Sequence, residues 1–316
     1  MKSGIVYNSI FSKHDTGIHH PEKDNRASYI FNQIKDEKFF NSIVKIPTQP
    51  CDPRFLEFAH HPAYLKLAKL EIENGLNKLS TGDTAICKDS WTVASLASGG
   101  ILNAIKQVSE HKIKNAFCIT RPPGHHANEK KGMGFCIFNH VAIGARYAQK
   151  VLGYEKILIV DWDVHHGNGT QDIFYQDDSV FFFSTHQSPW YPGTGGSEET
   201  GSGKGLGFTK NFPFPSGSGS KEILEFAFSS KLPKFVSKFK PDLIIISAGF
   251  DSRKDDPLGQ FKLNDEDFYN LTKVMIDLAD EHCEGKLISV LEGGYNLKGL
   301  AHASISHLKA LLGKDF

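Results

Sequence analysis

The chain of 316 residues is 40% hydrophobic and 23% charged, an ordinary globular composition long enough to bury one sizeable core, so a single domain over 1–316 is expected. Lysine plus arginine (36) equals aspartate plus glutamate (36), which excludes a general attraction to nucleic acid or to an anionic membrane surface. The five cysteines, Cys51, Cys87, Cys118, Cys136 and Cys283, form no C-x-x-C pair, which argues against a zinc ribbon or disulfide framework and for a reduced, cytoplasmic setting. No apolar run approaches the roughly 20 residues of a membrane span. The first seven residues read as the start of a strand, not as a signal peptide.

In chain order, a helix is predicted at 92–110, a strand at 116–120, a helix at 139–152, and strands at 157–160 and 180–183. A helix at 222–239, a strand at 243–247, a helix at 265–282 and a strand at 287–291 follow. The strand runs are rich in β-branched or aromatic residues and apolar on both faces, the pattern of buried parallel strands. Strand and helix alternate, so the class is α/β, with a central, mostly parallel sheet flanked by helices on both faces. The segment 194–219, with glycine at 195, 196, 201, 203, 205, 207, 217 and 219, is expected to be a long surface loop.

In an open parallel sheet, ligands bind beyond the carboxyl ends of the strands. Each strand run here is followed by reactive residues: Arg121 to His126, Asp161 to Gly169, Ser184 to His186, Ala248 to Asp251, and Glu292 to Tyr295. The Asp161-x-Asp163-x-His165 spacing would point two carboxylates and an imidazole to one side of an extended chain. Such carboxylates are not buried without a cation or hydrogen bonds, so a divalent metal gives the pattern a physical reason. Asp251, at another strand end, can supply a third ligand and leave a position open for water and substrate. Alone, the same run would read as a strand and helix cap. The tandem His125-His126 could be a metal pair, a core feature or a general acid/base pair; an imidazole titrating near neutrality suits the last. Tyr295 follows two glycines that let the backbone turn, and its phenol could donate to an oxyanion.

With these residues, the sequence strongly resembles the histone deacetylase superfamily, which includes acetylpolyamine amidohydrolases and acetoin-utilisation proteins and has the arginase-deacetylase fold. The matching segments are Arg121 to His126, Gly132 to Asn139, Asp161 to Gly169, Ser247 to Asp251, Asp256 to Gly259 and Glu292 to Tyr295, in the family's order over nearly the whole chain. The resemblance implies that Asp163, His165 and Asp251 bind Zn2+, that His126 is the main general base and acid, and that His125 holds the water. Tyr295 would polarise the scissile carbonyl with the metal, Asp161 would pair with His125, and Asn168 with His126. Position 168 is asparagine, the class II pattern, so His126 is expected to stay neutral more readily than beside a carboxylate. Phe135 and Tyr191 match the aromatic walls of an acyl-lysine channel, the Gly134 carbonyl would accept from the substrate amide, and Asp83 would grip the substrate backbone. The family also binds structural K+: one site would use Asp161, Asp163, His165, Ser184 and Thr185, and a second Phe174 and Val180. Arg26 resembles an arginine beneath the active site, and an ion pair is an equal reading.

Polyamine-specific relatives place an acid at the mouth, in one branch at the third position of D-P-x-G; here that residue is Leu258. The expected partner is therefore an acyl-lysine of a protein or peptide, with an acetylpolyamine or other acylated small amine as the alternative. A non-catalytic acyl-lysine binding module is a further alternative, against which His125, His126 and Tyr295 stand. An arginase-type binuclear centre would need more aspartates than Asn168, Ser184 and Phe250 provide.

Overall fold

The structure, a computed structural model, describes residues 2–316. Its sheet has eight strands, all parallel, in the order β2-β1-β3-β8-β7-β4-β5-β6. The strands are β1 (Ser3–Val6), β2 (Val44–Ile46), β3 (Asn115–Cys118), β4 (Ile157–Asp161), β5 (Val180–Gln187), β6 (Thr209–Phe214), β7 (Leu243–Ala248) and β8 (Leu287–Leu291). The helices are α1 (Arg26–Lys35), α2 (Pro53–Leu56), α3 (Pro62–Glu73), α4 (Ser90–Ser109), α5 (His140–Leu152), α6 (Asn168–Phe174), α7 (Leu232–Phe239), α8 (Asp265–His282) and α9 (Leu297–Leu311).

Period-2 alternation sorts each central strand between two cores. Leu158 and Val160 of β4 join one core with α1, α7, α8 and α9, whereas Ile157 and Ile159 join the other with α3 and α5. Both faces are therefore covered, as an all-parallel sheet requires. The topology matters for the site. The chain leaves β3, builds β4, β5 and β6 outward, and returns to insert β7 and β8 between β3 and β4. That reversal brings the carboxyl ends of β3, β8, β7 and β4 side by side, at the switch point where α/β sheets bind ligands.

Two expectations need correction. The segment 194–219 is not loop throughout: Thr209–Phe214 forms edge strand β6, parallel to β5. Pro213 is tolerated there because an edge strand has one unpaired side. The helix expected at 222–239 is two pieces, a wide-turned i→i+5 segment at Lys221–Lys231 and then α7, with Pro233 in the first turn of α7. No described helix is long and apolar enough to cross a membrane.

Candidate active site

The four adjacent strand ends deliver their side chains to one buried place. Asp163 Oδ1 accepts from the His165 backbone N–H at 2.8 Å and lies 3.0 Å from His165 Nδ1, while Oδ2 accepts from Gly293 N–H at 2.8 Å. Asp251 Oδ1 accepts from Val164 N–H at 2.9 Å; its Oδ2 has no hydrogen-bond partner and stands 3.2 Å from His165 Nδ1. One ligand atom from each of Asp163, His165 and Asp251 lies within 4.8 Å of the others, all three residues buried. Gly249 and Gly293 leave the space: a Cβ on the first would strike the Asp163 carboxylate, and on the second the Asp251 carboxylate.

The electrostatics of this cluster call for a cation. Burial, with Asp163 beside it, pushes Asp251 up to about 7. Burial alone would lower His165, but Asp163 and Asp251 raise it to about 10. A proton on His165 thus stands where a divalent ion would neutralise two buried carboxylates. Two carboxylates and an imidazole are a donor set of the catalytic zinc type, and the residues present fit such an ion.

Asp161 does not join this set, contrary to the same-side expectation from the D-x-D-x-H spacing. Strand β4 ends at Asp161, so the following residues are not extended. Its Oδ2 instead pairs with His125 Nδ1 at 2.9 Å, and its Oδ1 accepts from Asp163 N–H at 3.1 Å. The neighbouring His126 Nδ1 pairs with Asn168 Oδ1 at 2.8 Å, and the two imidazole centroids are 4.0 Å apart. Against burial, which would lower it, Asp161 and Asp163 raise His125 to about 10. Burial and the charges of His125 and His165 hold His126 well below the ordinary histidine value. Because the Asn168 carbonyl accepts, His126 carries its proton on Nδ1 and keeps Nε2 free to take another.

Tyr295 closes the far side. The Arg26 guanidinium lies 4.9 Å over its ring and donates to the Gly294 and Glu292 carbonyls, each at 2.7 Å. Arg26 also pairs with buried Glu22 at 3.0 Å, so the ion pair and the position beneath the site coexist. Burial, with Asp251 nearby, pushes the Tyr295 phenol well above its usual range, so it remains a donor.

A cavity of about 230 Å³ opens above these groups, lined by Asp83, Gly134, Phe135, Tyr191, Leu258 and Tyr295 over His126 and His165. Gly134 and Phe135 both have left-handed backbone, at φ 56° and 68°. Gly134 must be glycine, since a Cβ would enter the His126 ring, and the Phe135 conformation is one that bulky residues rarely adopt. Asp83 Oδ1 accepts from Gly134 N–H at 2.6 Å, so that oxygen holds the chain's own backbone. The Tyr191 ring meets His126 edge-on at 5.2 Å.

Of the positions expected to hold K+, Asp161 and Ser184 are register partners across β4 and β5, and Thr185 follows, all buried. Phe174 and Val180 end α6 and begin β5, and the Arg146 guanidinium lies 4.6 Å over the Phe174 ring.

Sequence reasoning gave no role to three residues. Glu292 Oε2 accepts from Gly124 and His125 N–H at 2.6 and 3.1 Å, fixing the loop that carries the paired imidazoles. Trp190 lines the cavity, and Asp256 binds the Tyr295 backbone N–H at 2.7 Å. The signal for Glu292 is an acid directly after a buried, mostly apolar strand; Trp190 and Asp256 lie in loops whose partners no pattern reveals.

The histone deacetylase domain family model matches residues 20–311. A probable deacetylase of Archaeoglobus fulgidus is 38% identical over all of this chain and 88% of its own length. Histone deacetylase 15 of Arabidopsis thaliana is 42% identical over 94% of this chain, which spans only 53% of that relative. The crystal structure of the HDA15 HD domain superposes with a TM-score of 0.93 at 34% identity, covering 99% of this chain and 88% of that one.

Proposed function

Because the chain belongs to the histone deacetylase family and has its arginase-deacetylase fold, we propose that it hydrolyses the amide of an acylated amine, most fittingly an acyl-lysine in a protein or peptide. The observation that carries the reading is the split of two adjacent histidines, one paired with a carboxylate and one with an amide, beside a buried Asp163-His165-Asp251 cluster. Paired titratable groups driven to opposite protonation states mark an acid/base assignment.

Asp163, His165 and Asp251 would hold zinc. Bound there, the ion supplies Lewis-acid chemistry, easing ionisation of water and polarisation of a carbonyl. His126 Nε2 takes the proton of the attacking water, with Asn168 holding the ring in the required tautomer. His125, held protonated by Asp161, orients that water. The Tyr295 hydroxyl donates to the carbonyl oxygen as it becomes negative. When the tetrahedral adduct collapses, His126 returns the proton to the departing amine. Phe135 and Tyr191 sheath an alkyl stem, and the Gly134 carbonyl, which already accepts from the Cys136 thiol at 3.3 Å, has a second lone pair with which to accept from the substrate amide. Leu258 at the mouth offers no partner to a second ammonium, which favours acyl-lysine over acetylpolyamine.

The test is turnover of acetyl-lysine peptides, longer acyl-lysines and acetylated polyamines by zinc-loaded protein, with and without a chelator. Peptide turnover abolished by the chelator supports the proposal. Peptide binding without hydrolysis would make the chain a reader of acyl-lysine, and turnover of polyamines alone would overturn the substrate assignment.

A further inference from the structure

Three loops meet at the mouth of the cavity, after β5 with Trp190, after β7 with Leu258, and after β8 with Tyr295. They are joined in series by one carboxylate. The Trp190 indole Nε1–H donates to the Leu258 carbonyl at 2.9 Å, and Leu258 N–H donates to Asp256 Oδ1 at 3.0 Å. Asp256 Oδ2 then accepts from Tyr295 N–H at 2.7 Å and Asn296 N–H at 3.1 Å.

Asp256 is only 8% exposed, and among the described residues no lysine or arginine forms an ion pair with it. Arg253, its near neighbour, is turned to Asp265 at 2.7 Å, and Arg26 to Glu22. A buried carboxylate is tolerated there because charge-assisted bonds from backbone N–H groups replace water. Those bonds also make it a rigid joint. The peptide before Tyr295 is held from the other side by Arg26 through the Gly294 carbonyl, and Gly294 itself turns at φ 116°. On the side of the mouth the Tyr295 N–H is held by Asp256, and the Asn296 side chain adds a bond to the Asp255 carbonyl at 3.1 Å.

We propose that Asp256 is a positioning residue for Tyr295, and that the Trp190–Leu258–Asp256 chain makes the placement of the phenol depend on what fills the mouth. The inference rests on the amide-hydrolysis reading given above. A substrate whose flanking groups press on Trp190 and Leu258 steadies the carboxylate, and through it the donor to the carbonyl oxygen. Remote binding is then expressed in kcat and not only in KM, so a peptide outpaces free acetyl-lysine in turnover.

Asp256→Asn keeps the shape but sets an amide N–H against backbone N–H donors; Trp190→Phe keeps an aromatic ring while removing the donor and part of the indole's bulk. Each is combined with Tyr295→Phe. Asp256→Asn is expected to lower kcat about 100-fold on the peptide, the scale of one oxyanion donor. In the Tyr295→Phe background the same change should alter the residual rate less than about threefold, the non-additivity of residues acting as a unit. Trp190→Phe is expected to shrink the kcat advantage of peptide over free acetyl-lysine. Equal losses from Asp256→Asn in both backgrounds would overturn the proposal.

A readout independent of turnover is the 19F spectrum of 3-fluorotyrosine-labelled protein, with the Tyr295 signal assigned by its loss in Tyr295→Phe. The signal should move in both Asp256→Asn and Trp190→Phe while melting temperature and metal content stay near the parent values. A signal unmoved in both variants refutes the proposal even if the parent protein hydrolyses no acylated amine, a result that would count against the preceding reading alone.

Discussion

His125 and His126 are adjacent in sequence and 4.0 Å apart as rings, yet their partners hold them in different protonation states. Asp161 holds a charge on one, and Asn168 leaves the other neutral. Asn168→Asp would replace that amide by a carboxylate, which stabilises imidazolium and raises the His126 pKa. The base must be neutral to accept a proton. The acid limb of the kcat/KM profile is therefore expected to move to higher pH by about one unit or more; an unmoved limb would show that His126 is not the base. The Asp163-His165-Asp251 cluster has its own pH dependence. With His165 raised to about 10 and Asp251 to about 7, an incoming ion must displace protons that ordinary ligands would already have lost at neutral pH. Zinc affinity measured by chelator competition should therefore rise steeply from pH 6 to pH 9, and a flat profile would contradict the protonated cluster.

The turns between elements set how tightly the cluster can close. In the β8–α9 turn, a Cβ at position 293 would collide with the Asp251 carboxylate and crowd that of Asp163. Gly293→Ala is expected to lower zinc affinity by roughly 10- to 100-fold, the cost seen when supports of metal ligands are disturbed. The far-ultraviolet circular dichroism should be unchanged, because strand β8 and helix α9 lie outside the contact; retained metal content would reject this account. These turns also mark how far the sequence could be read. Strands β4, β7 and β8 were legible because apolar runs leave no competing assignment, and helix α8 was legible as the helical stretch between β7 and β8; the structure adds an Asn264 cap at its start. Strand β6 was hidden by flanking glycines and Pro213, and β2 by its three-residue length. His125, His126, Asp163, His165, Asp251 and Tyr295 could be singled out as candidates because each follows a legible strand, whereas Asp83, between α3 and α4, follows none. Which way Asp161 turns, and what Asp256 and Trp190 hold, depends on loops whose paths are set by tertiary contacts.

At the scale of the whole molecule, buried neutral histidines tie stability to pH. His307, fully buried, donates from Nδ1 to the Thr272 hydroxyl at 2.6 Å, packs against Phe117 and Trp162, and has an unpartnered Nε2; burial lowers it to about 3. His60 is held neutral by geometry as well, since Asn139 N–H donates to its Nε2 at 2.8 Å, and it too falls to about 3 through burial. In the unfolded chain such groups titrate near 6.5, so below that pH the unfolded state binds more protons and stability is lost on acidification. Asp251 and Glu292, both raised to about 7 by burial, act in the opposite direction, because the folded metal-free chain then holds the extra proton. A total stability measured against pH mixes the two. Comparison with His307→Phe separates them, since the carboxylates are common to both proteins and cancel in the difference. As pH falls from 7.5 to 5, urea unfolding should show the variant gaining on the parent by about 2 kcal/mol, the linkage for one histidine that is neutral when folded and ordinary when unfolded. A difference that stays constant over that range would mean that His307 takes up its proton without unfolding.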